Sequence, residues 1–171
     1  MNVRSLAAPD LQAYRELMLQ AYELDADAYT STAQERASAS TTWWLGRLSD
    51  PHGASQAFGA FDEGRLVGSV AVEFETRLKI RHKAHLVGMF VAQPCRGLGA
   101  GQALLQAAIT HARQRAEVKL MSLTVTEGNT SAIALYERAG FQRFGLEPLA
   151  IYTGTGYKSK LHMQLQFAAP G

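Results

Sequence analysis

Gly97, Gly99 and Gly101 stand at alternate positions after Arg96 and open a run, Ala100 to Ala116, whose Leu104, Leu105, Ala108, Ile109 and Ala112 keep helical spacing. Ahead of them, Leu86 to Val91 reads as a strand. A strand, a glycine turn and a helix in direct succession can hold an anion. Glycine lets the backbone approach a ligand closely, and unpaired amides open the helix where its dipole is positive. The expected chemistry is the cradling of a pyrophosphate. A P-loop would need lysine after its last glycine, and none follows Gly101. The dinucleotide pattern Gly-x-Gly-x-x-Gly meets Gln102 where its third glycine belongs, although Glu117 falls near the distance of a ribose-binding acid. That leaves an NAD-dependent oxidoreductase as the weaker alternative.

A second constellation follows. Leu120 to Thr126 is strand-like with Met121, Leu123 and Val125 on one side, and Glu127-Gly128-Asn129 breaks it. Asn129 is placed to cap a short helix, Thr130 to Ala139, which ends at Gly140 and returns into Phe141. Arg96-x-x-Gly99-x-Gly101 resembles the Gln/Arg-x-x-Gly-x-Gly/Ala signature of the GNAT family of N-acetyltransferases, in which this turn holds the pyrophosphate of coenzyme A. Asn129-x-x-Ala132-x-x-Leu135-Tyr136-x-x-x-Gly140-Phe141 closely resembles that family's second coenzyme A motif. The two motifs stand in the family's order, about thirty residues apart, and the resemblance covers roughly residues 57–167.

The resemblance implies an α/β (α+β) fold: a mixed, largely antiparallel sheet of six or seven strands flanked by helices, in one N-acetyltransferase domain over 1–171 with its cofactor-binding core at about 82–142. It implies direct transfer of acetyl from acetyl-CoA, as cosubstrate and without a metal, to a primary amine of a small molecule or protein. Met89, Phe90, Val91, Arg96, Gly97, Leu98, Gly99, Ala100, Gly101, Gln102, Asn129, Ala132 and Tyr136 are the implied cofactor contacts, with free amides around Phe90 and Val91 polarising the thioester carbonyl. Tyr136 is the implied proton donor to the departing thiolate, since a phenol with a reference pKa of about 10 is protonated at neutral pH. His85, expected on one strand face with Val87, Met89 and Val91, and Glu73 or Glu75 on the neighbouring strand, are candidates for the base that takes the amine's proton. The alternative on the same fold is a non-catalytic acyl-CoA-binding sensor. Cys95 precedes Arg96 in the turn, but no histidine or acid stands at a spacing that would make it a nucleophile's partner.

These groups need elements to hold them. Val3 to Leu6 reads as a strand, and Pro9 opens a helix whose Leu11, Tyr14, Leu17, Met18, Ala21 and Tyr22 form one apolar face. Thr32-x-x-Glu35 is a capping box, Thr42 to Leu48 is a further short helix, and Gln56 to Phe61 pairs with Leu66 to Thr76 around Asp62-Glu63-Gly64-Arg65. His82 to Ala92 is the strand that leads into the glycine turn, and Phe144 to Phe167 supplies two more. Tyr29, Trp43, Trp44, Tyr152 and Tyr157 are the expected walls of the acceptor cleft. Acceptors consistent with the sequence include a protein amine, a polyamine, an amino acid analogue and an aminoglycoside-like drug.

With 171 residues, 47% hydrophobic and 19% charged, the composition suits one substantial core. No apolar run nears the roughly 20 residues of a membrane helix, and the first residues lack an apolar signal core. One cysteine permits no internal disulfide, so the expected location is the cytoplasm. A net charge of +2 without a basic aromatic stripe argues against nucleic acid or membrane partners. The late strands, Leu146 to Ile151 or Leu161 to Phe167, are candidates for a homodimer contact.

Overall fold

In the computed structural model, which describes residues 1–168, seven strands form one sheet; the last three residues of the expected 1–171 domain lie outside that range. The strands are β1 (Asn2–Ser5), β2 (Ser55–Asp62), β3 (Arg65–Phe74), β4 (Lys83–Val91), β5 (Leu120–Thr126), β6 (Gln142–Tyr152) and β7 (Tyr157–Gln166), in the order β1-β2-β3-β4-β5-β7-β6. Every neighbouring pair is antiparallel except β4 and β5. A dinucleotide fold needs a mostly parallel sheet, so this topology removes the oxidoreductase alternative.

The sequence explains the elements locally. Glu63 and Gly64 both take positive φ, 48° and 78°, which gives the β2–β3 hairpin the tight turn that matches strand twist. Thr32 accepts from Glu35 N while Glu35 reaches back to Thr32 N, so the capping box starts α2 (Ala33–Ala37) as expected. Ser40 caps α3 (Thr41–Leu48), and Asn129 caps α5 (Thr130–Arg138).

The sheet separates two cores. On one face α1 (Leu11–Leu24) and α3 bury Tyr14, Leu17, Met18, Tyr22, Trp44 and Leu48 against Ala57, Ala71 and Phe90. On the other, α4 (Ala100–Arg113) and α5 bury Leu104, Leu105, Ile109 and Tyr136 against Val70, Val72, Leu86, Met121 and Leu123. No helix among the described residues is long and apolar enough to cross a membrane.

The departure from the expected pattern lies in the middle of β4. His85, Val87, Met89 and Val91 do not share one face. The β3–β4 register slips between Ser69 and Ala71, so that Phe90 faces Ser69 while Val87 faces Ala71, and Gly88 adopts a φ of 62° inside the slip. This bulge reverses the strand's alternation: Val87 packs on the α1/α3 side, whereas Met89 and Val91 pack on the α4/α5 side. A Cβ at Gly88 would meet Met18 Cε at 3.6 Å and Tyr14 Oη at 4.0 Å, and few side chains tolerate that φ.

Candidate active site

β4 leaves its parallel partner before it reaches the bulge. The two strands are in register only at Lys83/Leu120, Ala84/Met121 and His85/Ser122, and beyond that point β5 pairs with β7 alone on its other side. The edge of β4 from Leu86 onward is therefore open toward β5. Its carbonyls there are met by side chains: Tyr29 Oη donates to Met89 O at 2.8 Å and Arg96 Nε to Val91 O at 2.8 Å. Ala92 N, in contrast, donates to Val67 O on the β3 side. An extended residue turns its N–H and C=O to the same edge, so the Val91 amide faces the opening, while Phe90, in register with Ser69, turns its amide into the ladder. Of the two amides expected there, Val91 is the one free to meet a ligand. The Phe90 side chain is core.

The glycine turn is built as the sequence suggests. Gln93–Cys95 makes a single 3-10 turn, Gly97 and Gly99 take φ of 77° and 89°, and Gly99 is the N-cap residue of α4. The first bond of α4 is Ala103 N to Gly99 O at 3.0 Å. The amides from Gly97 through Gln102, with Leu98 and Ala100 between the glycines, find no acceptor among the described residues. Such a string of donors at the positive end of a 14-residue helix fits a pyrophosphate. Gly101 is needed for a different reason: a Cβ there would lie 3.3 Å from Leu135 Cδ2 of α5, so glycine lets the two cofactor motifs approach. Arg96 is not part of this donor set. Its amide bonds Gln93 O, and its side chain braces the turn to Val91 and, at 2.7 Å, to Asp25 at the end of α1. Cys95 is half-buried and packs against the α4-side core.

A cavity of about 230 Å³ passes through the β4–β5 opening and joins the two faces of the sheet. Asn129, Ala132 and Tyr136 of the α5 segment line one side; Tyr22, Tyr29, Arg36 and Arg47 line the other; Val87, Gly88, Met89, Thr124 and Lys160 lie between. Tyr136 is 6% exposed, its hydroxyl has no partner among the described residues, and burial pushes its pKa up to about 12. It is a neutral hydrogen-bond donor throughout the physiological range. Burial also raises the pKa of Tyr29, with Asp25 adding to the effect.

The expected bases are occupied elsewhere. His85 Nδ1 lies 2.6 Å from Ser122 Oγ and its Nε2 3.0 Å from Glu75 Oε1, where the strands begin to part, and His85 does not line the cavity. Glu73 forms an ion pair with Arg47 at 3.1 Å. Of the expected aromatic walls, only Tyr29 borders the cavity. Trp44 is 1% exposed in the core, Tyr152 and Tyr157 face solvent, and Trp43 packs beneath Arg36. Arg36, Arg47, Tyr22 and Lys160 are cavity residues that sequence patterning did not single out. The four-residue spacing of Trp43 and Arg47 on α3 was the available signal.

Residues 18–141 match the model of the acetyltransferase (GNAT) family. An uncharacterized N-acetyltransferase of Methanocaldococcus jannaschii is 29% identical over 143 residues, 82% of this chain; the chain spans 60% of that relative's length. Among solved structures, a ribosomal-protein-alanine N-acetyltransferase from Brucella melitensis superposes with a TM-score of 0.81 at 25% identity, covering 98% of this chain and 100% of its own. A phosphinothricin acetyltransferase from Sinorhizobium meliloti, in complex with AcCoA, gives a TM-score of 0.84 at 22% identity over 98% of this chain and 88% of its own.

Proposed function

The chain belongs to the GNAT acetyltransferase family, and from that premise we propose that it moves acetyl directly from acetyl-CoA to a primary amine held in the cavity between α3 and α5. The observation that carries this reading is the cavity itself, which joins the buried phenol of Tyr136 to the far face of the sheet through the gap between β4 and β5 beyond His85. When bound, acetyl-CoA supplies a thioester whose carbonyl carbon takes the amine nitrogen and whose carbon–sulfur bond breaks. The amides of Gly97 to Gln102 hold its pyrophosphate, and the open edge of β4 aligns its pantetheine arm. The Val91 amide donates to the carbonyl oxygen as charge gathers there. Tyr136 Oη donates toward the departing sulfur. The amine's proton leaves to water, because His85 and Glu73 are both tied to other partners.

Calorimetric titration with acetyl-CoA, with NADH as control, tests the cofactor. Micromolar binding of acetyl-CoA alone is expected; no acetyl-CoA binding refutes the reading. Release of free thiol in the presence of amines then separates an enzyme from an acyl-CoA-binding sensor, which would bind the cofactor and leave every amine unchanged.

A further inference from the structure

Resting on the acetyl-transfer reading above, we infer that the acceptor is a small α-amino acid or a close analogue, whose carboxylate is held by Arg36 and Arg47 while its amine faces the Val91 amide. The two guanidiniums share one indole: the Arg36 guanidinium carbon lies 3.9 Å from the Trp43 ring centroid and that of Arg47 5.1 Å from it. Two like charges on one ring are set against one carboxylate. Glu73 pairs with Arg47, whereas the Arg36 side chain has no acceptor among the described residues, and its Nε is buried without a partner. Lys160 adds a third cation to the cavity wall, donating to Thr30 Oγ1 at 2.5 Å, and no Asp or Glu among the described residues lines the cavity. Of the three cations at the cavity, only Arg47 is paired with a carboxylate among the described residues, so the cavity has room for one further anion.

Geometry narrows the anion. Guanidinium forks match the planar pair of oxygens of a carboxylate. Arg47 Nη1 lies 3.6 Å from the position a Cβ would take at Gly88, the bulge residue immediately before Met89. A carboxylate bound there leaves only a few bonds between itself and a nitrogen at the open edge of β4, as an α-amino acid provides. A polyamine or an aminoglycoside, both polycationic at neutral pH, would bring further positive charge against Arg36, Arg47 and Lys160, which like-charge repulsion disfavours.

Matched acceptors test this with the full chain. L-phenylalanine and L-methionine are compared with their carboxamides and with phenethylamine, reading thiol release from acetyl-CoA and, in the CoA complex, binding by calorimetry. The acids are expected to exceed the neutral partners in kcat/KM or affinity by roughly 10- to 150-fold, the factor for hydrogen bonds to a charged group. Arg36→Gln should raise KM for the acids and collapse that gap, while its acetyl-CoA titration stays as in the parent and shows that the fold is intact. Neutral amines equal to or better than the acids overturn the inference. So does a panel in which no acid binds the CoA complex, or an Arg36→Gln variant that keeps the gap. Absence of acetyl-CoA binding to the parent chain would instead refute the acetyl-transfer reading, so the two failures are distinguishable.

Discussion

Replacing Tyr136 with phenylalanine removes one oxygen from the cavity wall and leaves the ring that packs against Phe141, at a centroid distance of 5.9 Å. The size of the effect follows from the phenol's environment. With its pKa pushed up to about 12 by burial, the phenol is a weaker acid than a thiol, whose reference pKa is about 8.5, so complete transfer of its proton to the thiolate is uphill. On the proposed mechanism Tyr136 is therefore a hydrogen-bond donor that shares its proton with the sulfur as charge develops. A hydrogen bond to a charged group contributes about 1.5–3 kcal/mol, so Tyr136→Phe should lower kcat by roughly 10- to 150-fold. It should leave the acetyl-CoA dissociation constant unchanged. Thiol release followed with a chromogenic disulfide, beside calorimetric titration of both proteins, measures the two quantities. The parent should show no alkaline loss of this donor at pH 10, where an ordinary phenol is half ionised. A variant whose kcat stays within about twofold of the parent, a difference of about 0.4 kcal/mol, refutes the donor role.

Three further outcomes are expected. Gly101→Val puts branched carbon into a gap where even a Cβ lies 3.3 Å from Leu135; overpacking should cost about 1–3 kcal/mol in a thermal melt and weaken acetyl-CoA binding, and an unshifted melt with parent affinity refutes the close-approach argument. Tyr14, Tyr29 and Tyr136 all have pKa values raised by burial, so the folded state holds those protons more tightly than the unfolded chain. Their contribution to stability is complete below about pH 10 and is lost as pH rises through the folded values; the melting temperature should fall steeply from about pH 10 upward, and less steeply in Tyr136→Phe. Finally, β6 is an outer strand with Phe144, Leu146, Leu149 and Tyr152 exposed, beside exposed Tyr157 at the start of β7. An apolar edge of this kind suits a second copy of the chain, so sedimentation should give a dimer that Leu146→Lys shifts to monomer, and a monomeric parent at micromolar concentration counts against it.

Much of the fold was legible because its signals are local. The turn at Glu63-Gly64, the capping box of Thr32 and Glu35, the Asn129 cap and the glycines at 97 and 99 each constrain backbone within a few residues, and each is found where the spacing places it. The site was less legible because it depends on strand register and on contacts between distant segments. One glycine within a strand is a weak mark for a bulge. At Gly88 that bulge reversed the faces assigned to Met89 and Val91. The aromatic pair Trp43-Trp44 could not be divided by composition either. Helical phase turned Trp44 into the core beside Tyr14, at a centroid distance of 5.9 Å, and left Trp43 to carry two arginines. The glycine signature marked the turn but gave no sign that the Arg96 side chain braces it to β4 and α1.

Gly88 connects these corrections. With unbroken alternation, β4 would turn the Val91 amide into the ladder with β3, away from the opening that begins beyond His85. The slip at Gly88 turns Val91 toward the gap and brings Tyr14, Met18 and Arg47 against the backbone on the α1/α3 side. On the proposed reading, the same distortion presents the Val91 amide to the thioester and sets the nearest acceptor-side cation. Cofactor and acceptor, on that reading, meet at this segment of backbone, while the glycine turn and α5 would hold the remainder of the cofactor at a distance from it. A family that keeps the turn and the α5 motif can change its acceptor by changing what α2, α3 and β7 present to the other side of the bulge, and here they present Arg36, Arg47 and Lys160.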